Sequence, residues 1–297
     1  MNFKRTLRDS LKNKIPKNKL CFLPSGFQRV GHVVILDLKP EIVRYKKMIA
    51  DIILKKYPYI KTVCRKIGGV KGEKREPGIE IISGNGSETI HRENGCLYKI
   101  DVCKLMFAKG NTRERGRVAD IVMSGETIVD MFAGLGYFSI PIAKRNPKSF
   151  VYSIDINPVA ISYLKENCRL NGIKNIKIIK KDCKKVGLKG TADRIIMGYL
   201  PGTERFLSKA FLFLKDSGII HYHNIYRKEE LWKRPIRVLE DRAKKSGYRL
   251  NKVIYKKVVK QYSPGVYHVV LDVHFKKQSC VSSCKRGFFK HQKTDFS

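Results

Sequence analysis

Two rhythms of apolar residues divide this chain. From about residue 106 onward, short apolar runs of strand length alternate with stretches in which apolar positions recur every three or four residues. The runs predict strands at 127–132, 150–154, 176–179, 193–197 and 217–223, and the helical spacing predicts helices at 112–122, 138–145, 158–171, 203–214 and 228–246. Such alternation builds a parallel sheet with right-handed crossovers. The last two runs, Arg249–Lys260 and Val266–Phe275, meet at Tyr262-Ser-Pro-Gly, a turn signal that predicts an antiparallel hairpin at the sheet edge.

Upstream the rhythm changes. Gly31–Leu38 reads as a strand, 41–54 carries helical spacing, and β-type runs follow at 62–67, 79–83 and 89–94. Glycines punctuate them at Gly68-Gly69, Gly84-Asn85-Gly86 and Asn94-Gly95. The expected fold is therefore α/β, a doubly wound Rossmann-like domain over 106–275 preceded by a small α+β domain over 25–105. Residues 1–24, polar and basic up to Pro24-Ser25-Gly26, are expected to form a loosely held arm, and 276–297 a basic flexible tail.

Charge narrows the partner. The 297 residues hold 62 Lys+Arg against 26 Asp+Glu, a net charge of +36. An excess of that size repels itself unless a polyanion meets it, which favours a nucleic acid over an anionic membrane surface or a merely lysine-rich proteome. The ends add to the bias: Lys4, Arg5, Arg8, Lys12, Lys14, Lys17 and Lys19 face one acid, Asp9. No apolar core follows the basic start, and no stretch reaches the ~20 apolar residues of a membrane span, so a cytoplasmic protein without membrane contact is expected. Cysteines at 21, 64, 96, 103, 168, 183, 280 and 284 are scattered, as reduced thiols would be. Cys280-x-x-x-Cys284 with His291 has loose spacing and no fourth ligand, so no metal site is expected.

The chemistry concentrates at 128–136, Ile-Val-Asp-Met-Phe-Ala-Gly-Leu-Gly. An apolar run ends at Asp130 and enters a turn with Gly134 and Gly136; Asp155 then closes the next run, Phe150-Val-Tyr-Ser-Ile-Asp. A strand opening into a glycine turn, with an acid at the end of the following strand, is how doubly wound sheets hold adenosine. The third glycine of the dinucleotide fingerprint is missing, and so is a Gly-Lys-Ser/Thr triphosphate loop. An adenosine cofactor without phosphates fits, and S-adenosylmethionine is one. Asp182 closes the next apolar run, where adenine's amino group would lie. Each residue has a plainer reading: the glycines can simply shape a turn, Asp155 can cap the next helix with Asn157, and Asp182 can be a loop acid. Their conjunction in the right order carries the argument.

Asp130-Met-Phe-Ala-Gly-Leu-Gly-Tyr-Phe-Ser-Ile-Pro-Ile-Ala, Val151-Tyr-Ser-Ile-Asp-Ile-Asn-Pro-Val-Ala and Leu164-Lys-Glu-Asn-Cys-Arg-Leu-Asn closely resemble one tRNA-modifying family. Its members are the tRNA guanine-37 N1-methyltransferases of archaea and eukaryotes and their wybutosine-pathway relatives. The resemblance runs from His91-Arg-Glu-Asn-Gly to Tyr262-Ser-Pro-Gly-Val-Tyr-His-Val-Val-Leu-Asp and covers about residues 27–275. Where the methyltransferases hold the target base with Asn-x-Pro, this chain has Gly198-Tyr199-Leu200; where they carry Tyr-Phe-Ser-Pro-Arg, it has Met106-Phe-Ala-Lys-Gly110-Asn111. Both departures resemble the wybutosine aminocarboxypropyltransferase branch.

The resemblance implies transfer of the 3-amino-3-carboxypropyl chain of S-adenosylmethionine to 4-demethylwyosine at position 37 in the anticodon loop of tRNA(Phe). Orientation of the cofactor selects which carbon on sulfur reacts, and no new catalytic group is required. Carried onto this sequence, Arg115 contacts the cofactor, Asp155 holds the ribose, and Asp182 with the Cys183 backbone meets adenine. Ala108, Asp130, Phe132, Gly134, Gly136, Ile156 and Gly198 complete the implied cofactor set. Glu114 matches the methyltransferases' general base, and Arg75 the arginine that holds the base. No stable protein partner is indicated. Two rivals remain: the position-37 N1-methyltransferase, and a non-catalytic RNA-binding protein on a relic fold, which the intact glycine turn, Asp155 and Asp182 argue against.

Overall fold

The computed structural model describes residues 2–70, 72 and 75–278. The chain opens with a helix, α1 (Phe3–Leu11), whose first amides, Lys4 and Arg5, donate to the Asn2 side chain. Leu7 and Leu11, one turn apart, are fully buried and pack with Ile15, Leu20 and Leu23 against Ile42, Ile49 and Ile53. This corrects the loosely held arm expected over 1–24. The dense Lys and Arg face water, while a narrow apolar stripe beneath them docks.

β1 (Gln28–Val30), β2 (Val33–Leu36), α2 (Lys46–Lys56), β3 (Thr62–Lys66) and β4 (Ile79–Gly84) form the small unit. Its sheet runs β1-β2-β3-β4, with β2 and β3 parallel and the outer pairs antiparallel. The stretch expected as one helix is split into a 3₁₀ segment, Pro40–Tyr45, and α2. All four residues of β2 are buried because both its faces are covered. Val34 and Leu36 point to the core under α1 and α2; Val33 and Ile35 point to a second core on the other side.

That second core is shared. β5 (Glu88–Glu93) and β6 (Cys96–Asp101) make a separate hairpin whose turn uses positive φ at Asn94 and Gly95. The larger unit follows: α3 (Thr112–Ile121), β7 (Thr127–Asp130), α4 (Ser139–Arg145), β8 (Phe150–Asp155), α5 (Pro158–Leu170), β9 (Ile176–Lys180), β10 (Ala192–Met197), α6 (Leu207–Phe213), β11 (Leu214–Arg227), α7 (Lys233–Lys245), β12 (Tyr248–Ser263) and β13 (Val266–Lys277). The hairpin lies against α5, where Asn167 and Asn171 act as a surrogate strand. The Lys99 amide donates to Asn167 (2.6 Å) and the Leu97 amide to Asn171 (2.9 Å), while both side-chain amides donate back to the same residues' carbonyls. Tyr98 and Ile100 then bury with Val33, Ile35 and Cys64 on one side and Leu135, Ile140 and Leu164 on the other.

The seven-stranded sheet has the order β12-β13-β11-β10-β7-β8-β9. β9 through β11 are parallel; β13 enters antiparallel beside β11, with β12 outside it. The doubly wound expectation and the closing hairpin both hold. From β7 the chain winds outward to β8 and β9, then returns to place β10 on β7's other flank. At this reversal the loops after β7 and β10 diverge, which opens a crevice at the strands' carboxyl ends.

Candidate functional site

The crevice holds a cleft of about 250 Å³, near the lower end of the ~300–1,000 Å³ of ligand clefts. Its floor is the turn after β7. Gly134 adopts φ +56°, and a Cβ there would meet nothing, so its open side faces the cleft. Its amide donates to Asp155 Oδ2 (2.7 Å), and the Asn157 amide donates to Oδ1 (2.8 Å). Burial raises the Asp155 pKa, and these backbone donors pull the other way. The carboxylate is thereby fixed at the end of β8 with acceptor capacity left for a ligand's hydroxyls.

Ten of the expected residues line the cleft: Arg75, Ala108, Arg115, Phe132, Gly134, Asp155, Ile156, Asp182, Cys183 and Gly198. Ile156 and Cys183 are among its lining residues, and burial pushes the Cys183 thiol up to about 12. Asp182 accepts from the Lys184 amide (2.9 Å), which holds the 182–185 turn in place. Arg75, on the small unit, reaches across to the Leu200 carbonyl and sits 5.7 Å from the Tyr199 ring.

Three expected residues lie outside the lining. Asp130 sits beneath the turn, where the Ser139 hydroxyl (2.8 Å) and the Phe132 amide (3.4 Å) donate to it; burial raises its pKa to about 7. Gly136 is required by packing, because at φ +101° a Cβ would fall 2.6 Å from Ile140 Cδ1 and 2.7 Å from Leu164 Cδ1. Glu114 points to the sheet. Arg117 Nε donates to both its oxygens (3.1 and 3.0 Å), and Arg117 also grips Asp272 (2.7 and 3.1 Å). The chain of contacts continues inward through Asp272–His221 (2.6 Å) and His221–Arg194 (3.0 Å) to Glu126, on which Arg194 forms a two-pronged pair (2.9 Å each). Arg194 can only donate, so His221 Nε2 accepts and its Nδ1–H donates to Asp272.

Arg115 has a more complex environment. Its guanidinium lies over Tyr137 (3.9 Å) and donates to Glu93 (2.9 Å) and the Ala108 carbonyl (3.0 Å), fixing the 106–111 loop. Arg115 Nε and the neighbouring Asn111 Oδ1 are buried without a partner among the described residues.

Sequence reasoning missed the aromatic wall, in which Phe132 packs on Tyr199 (5.1 Å) and Phe206 (4.9 Å). Phe206 sits in a 3₁₀ turn ahead of α6, where periodicity does not say which side faces a ligand. It also missed the basic rim of Lys181, Lys184 and Arg205, which with Arg75 makes no ion pair to an acid among the described residues. No group that could hold a metal occurs among the described residues, and Cys280, Cys284 and His291 lie outside them.

S-adenosylmethionine fits this donor set. Ile156 and Cys183 suit adenine, Asp155 suits the ribose, and Arg115 Nε and Asn111 Oδ1, buried without a partner among the described residues, suit a polar group such as an amino-acid head.

Comparison with known proteins agrees. Residues 89–251 match the TRM5/TYW2 methyltransferase domain, and residues 7–87 match the TYW2 N-terminal domain. A tRNA(Phe) (4-demethylwyosine(37)-C(7)) aminocarboxypropyltransferase of Methanocaldococcus jannaschii is 44% identical over 84% of this chain and 98% of its own. A tRNA (guanine(37)-N(1))-methyltransferase, Trm5b, of Pyrococcus abyssi is 36% identical over 87% of this chain and 77% of its own. The crystal structure of Pyrococcus horikoshii TYW2 in complex with MeSAdo superposes with a TM-score of 0.82 at 36% identity, covering 93% of this chain and all of that one. This chain belongs to the TRM5/TYW2 family.

Proposed function

We propose that this protein transfers the 3-amino-3-carboxypropyl group of S-adenosylmethionine to 4-demethylwyosine at position 37 of tRNA(Phe), releasing methylthioadenosine. The observation that carries the reading is the end-to-end likeness to the aminocarboxypropyltransferase, 44% identity over 98% of that protein. The cleft supports it: Gly198-Tyr199-Leu200 stands where the methyltransferase pattern has Asn-x-Pro, and Tyr199 joins an aromatic wall suited to a broad base.

The bound cofactor supplies a sulfonium with three electrophilic carbons. This chain's residues choose among them by holding the ligand: Asp155 and Gly134 the ribose, Asp182 and the Cys183 backbone the adenine. Arg75, on the opposite bank of the cleft, steadies the acceptor base. Glu114 is assigned a supporting part, because both its oxygens are committed to Arg117. Residues 106–275 carry the chemistry. The small α+β unit and the basic rim take the anticodon stem-loop's phosphates, in keeping with the +36 charge. No helix among the described residues is long and apolar enough to cross a membrane, and a cytoplasmic site of action is part of the same reading.

The test is transfer of label. With cofactor labelled separately in the methyl and the carboxypropyl carbons, only the carboxypropyl label enters tRNA. Methyl label in tRNA would replace this reading with N1-methylation, for which the 36% identity to Trm5b is the supporting likeness.

A further inference from the structure

Lys260, on β12, is half-buried, and its ammonium makes neither an ion pair nor a hydrogen bond among the described residues. It lies against the 109–111 segment, since a Cβ added to Gly110 would fall 2.7 Å from Lys260 Cδ and 3.2 Å from Nζ. The next residue, Asn111, turns its unpartnered Oδ1 into buried space at the cleft, and Arg115 Nε is unpartnered there too. Burial and the nearby Arg115 charge both lower the Lys260 pKa. An ammonium so placed calls for an anion. Elsewhere the chain pairs its inward lysines, as Lys99 does with Glu88 and Glu166 (2.9 Å each).

The corner thus offers two kinds of group at once. Lys260 Nζ and Arg115 Nε can only donate, while Asn111 Oδ1 can only accept. A phosphate would satisfy the donors and leave Asn111 unmet. An α-amino acid head, carboxylate beside ammonium, satisfies both.

We propose that Lys260 and Asn111 hold the amino-acid head of S-adenosylmethionine, Lys260 with Arg115 taking the carboxylate and Asn111 the ammonium. This rests on the cofactor reading above and deepens it. The arm to be transferred is tethered at its far end, which fixes where its γ-carbon stands. Lys260 is a binding and positioning residue.

The experiment uses two ligands that differ by that arm and by the sulfonium charge its bond to sulfur creates. The comparison of Lys260→Arg, which keeps the local charge, with Lys260→Met addresses the second difference. Calorimetry on the full chain measures S-adenosylmethionine and methylthioadenosine binding to wild type, Lys260→Met, Lys260→Arg and Asn111→Ala. Lys260→Met is expected to weaken S-adenosylmethionine about 10- to 100-fold and to leave methylthioadenosine unchanged, with Lys260→Arg recovering part of the loss. Unchanged methylthioadenosine affinity also certifies the fold; if Lys260→Met does not fold, Asn111→Ala makes the same comparison. Equal loss for both ligands, or loss for neither, overturns the proposal. So does a defect confined to tRNA affinity, which would assign Lys260 to an RNA phosphate. Methyl label entering tRNA would instead defeat the proposed reaction while leaving the difference between the two ligands in place.

Discussion

Helix α3 carries two polar systems that end in opposite ways. On its sheet side, Glu114 and Arg117 enter a buried series that runs through Asp272, His221 and Arg194 to Glu126, and every link is a short, directed contact. Arg117 is further held 4.0 Å from the Tyr255 ring. At its N-terminal corner, Asn111 Oδ1 and Arg115 Nε are buried without a partner among the described residues, and the nearby Lys260 of β12 has no ion pair among them. Charge buried with its full complement of partners ties α3 to the sheet; charge buried without it marks where a ligand belongs. Residue type alone would have ranked the two systems the other way, since Glu114 looks like a catalytic acid and Lys260 looks like one more lysine.

Breaking the complete system should give the largest effect. Asp272→Ala leaves Arg117 without one acid and His221 without its acceptor, and is expected to cost ~3–5 kcal/mol in chemical denaturation. Although burial would raise it, the Asp272 pKa is lowered by His221 and Arg117. Its contribution is therefore present above the ordinary carboxylate pKa of about 4 and fades as pH falls. The variant should show a shallower acid slope than wild type; an identical slope would show that the pairing stores no stability.

Asp130 tests whether neutral donors can replace a cation. Its folded pKa of about 7 lies above the unfolded value, so the native state binds the extra proton and stability should decline as pH rises from about 4 to 7. Asp130→Asn should flatten that decline, as thermal melts across the range would read. A decline that persists would place its origin elsewhere.

Asp155→Ala moves the comparison to the ligand: cofactor affinity is expected to weaken by ~1–3 kcal/mol with the loss of charged hydrogen bonds. Unchanged calorimetric affinity would mean that the ribose lies elsewhere. Glu114→Gln should slow single-turnover transfer less than ~10-fold, against the ~10²–10⁴ that removal of a general base costs. Smallest of all, Asn111→Ala should leave the free protein's stability within ~0.5 kcal/mol, because it deletes an acceptor that has no partner to lose.

Buried parallel strands read as apolar runs, which is why β7 to β11 were visible in the sequence to within a few residues. The glycine turn, Asp155 at the end of β8 and Asp182 just after β9 were legible because that order is a pattern by which a doubly wound sheet can hold adenosine. β1 spans three residues and left no pattern. β6 did leave one, since Cys96, Tyr98 and Ile100 alternate on one face, but Asn94-Gly95 reads as a boundary in the sequence and is a hairpin turn in the structure. The leucines of α1 were hidden by the charge around them. Nothing in the sequence pattern places Lys260, and Arg75 is reached only through the family resemblance, because each acts on a segment more than a hundred residues away, Lys260 at Gly110 and Arg75 at Leu200. Only tertiary contact brings such pairs together.

The common core of Val33, Ile35, Tyr98, Ile100, Leu135 and Leu164 has a mechanical consequence. Two modules joined by a polar linker would swivel, whereas modules that share one apolar interior cannot turn without exposing it. On the proposed reading, a stem gripped by the first module would be presented to the cleft at a set span, so the pair would work as a caliper: a longer or shorter stem between grip and target would miss the jaws.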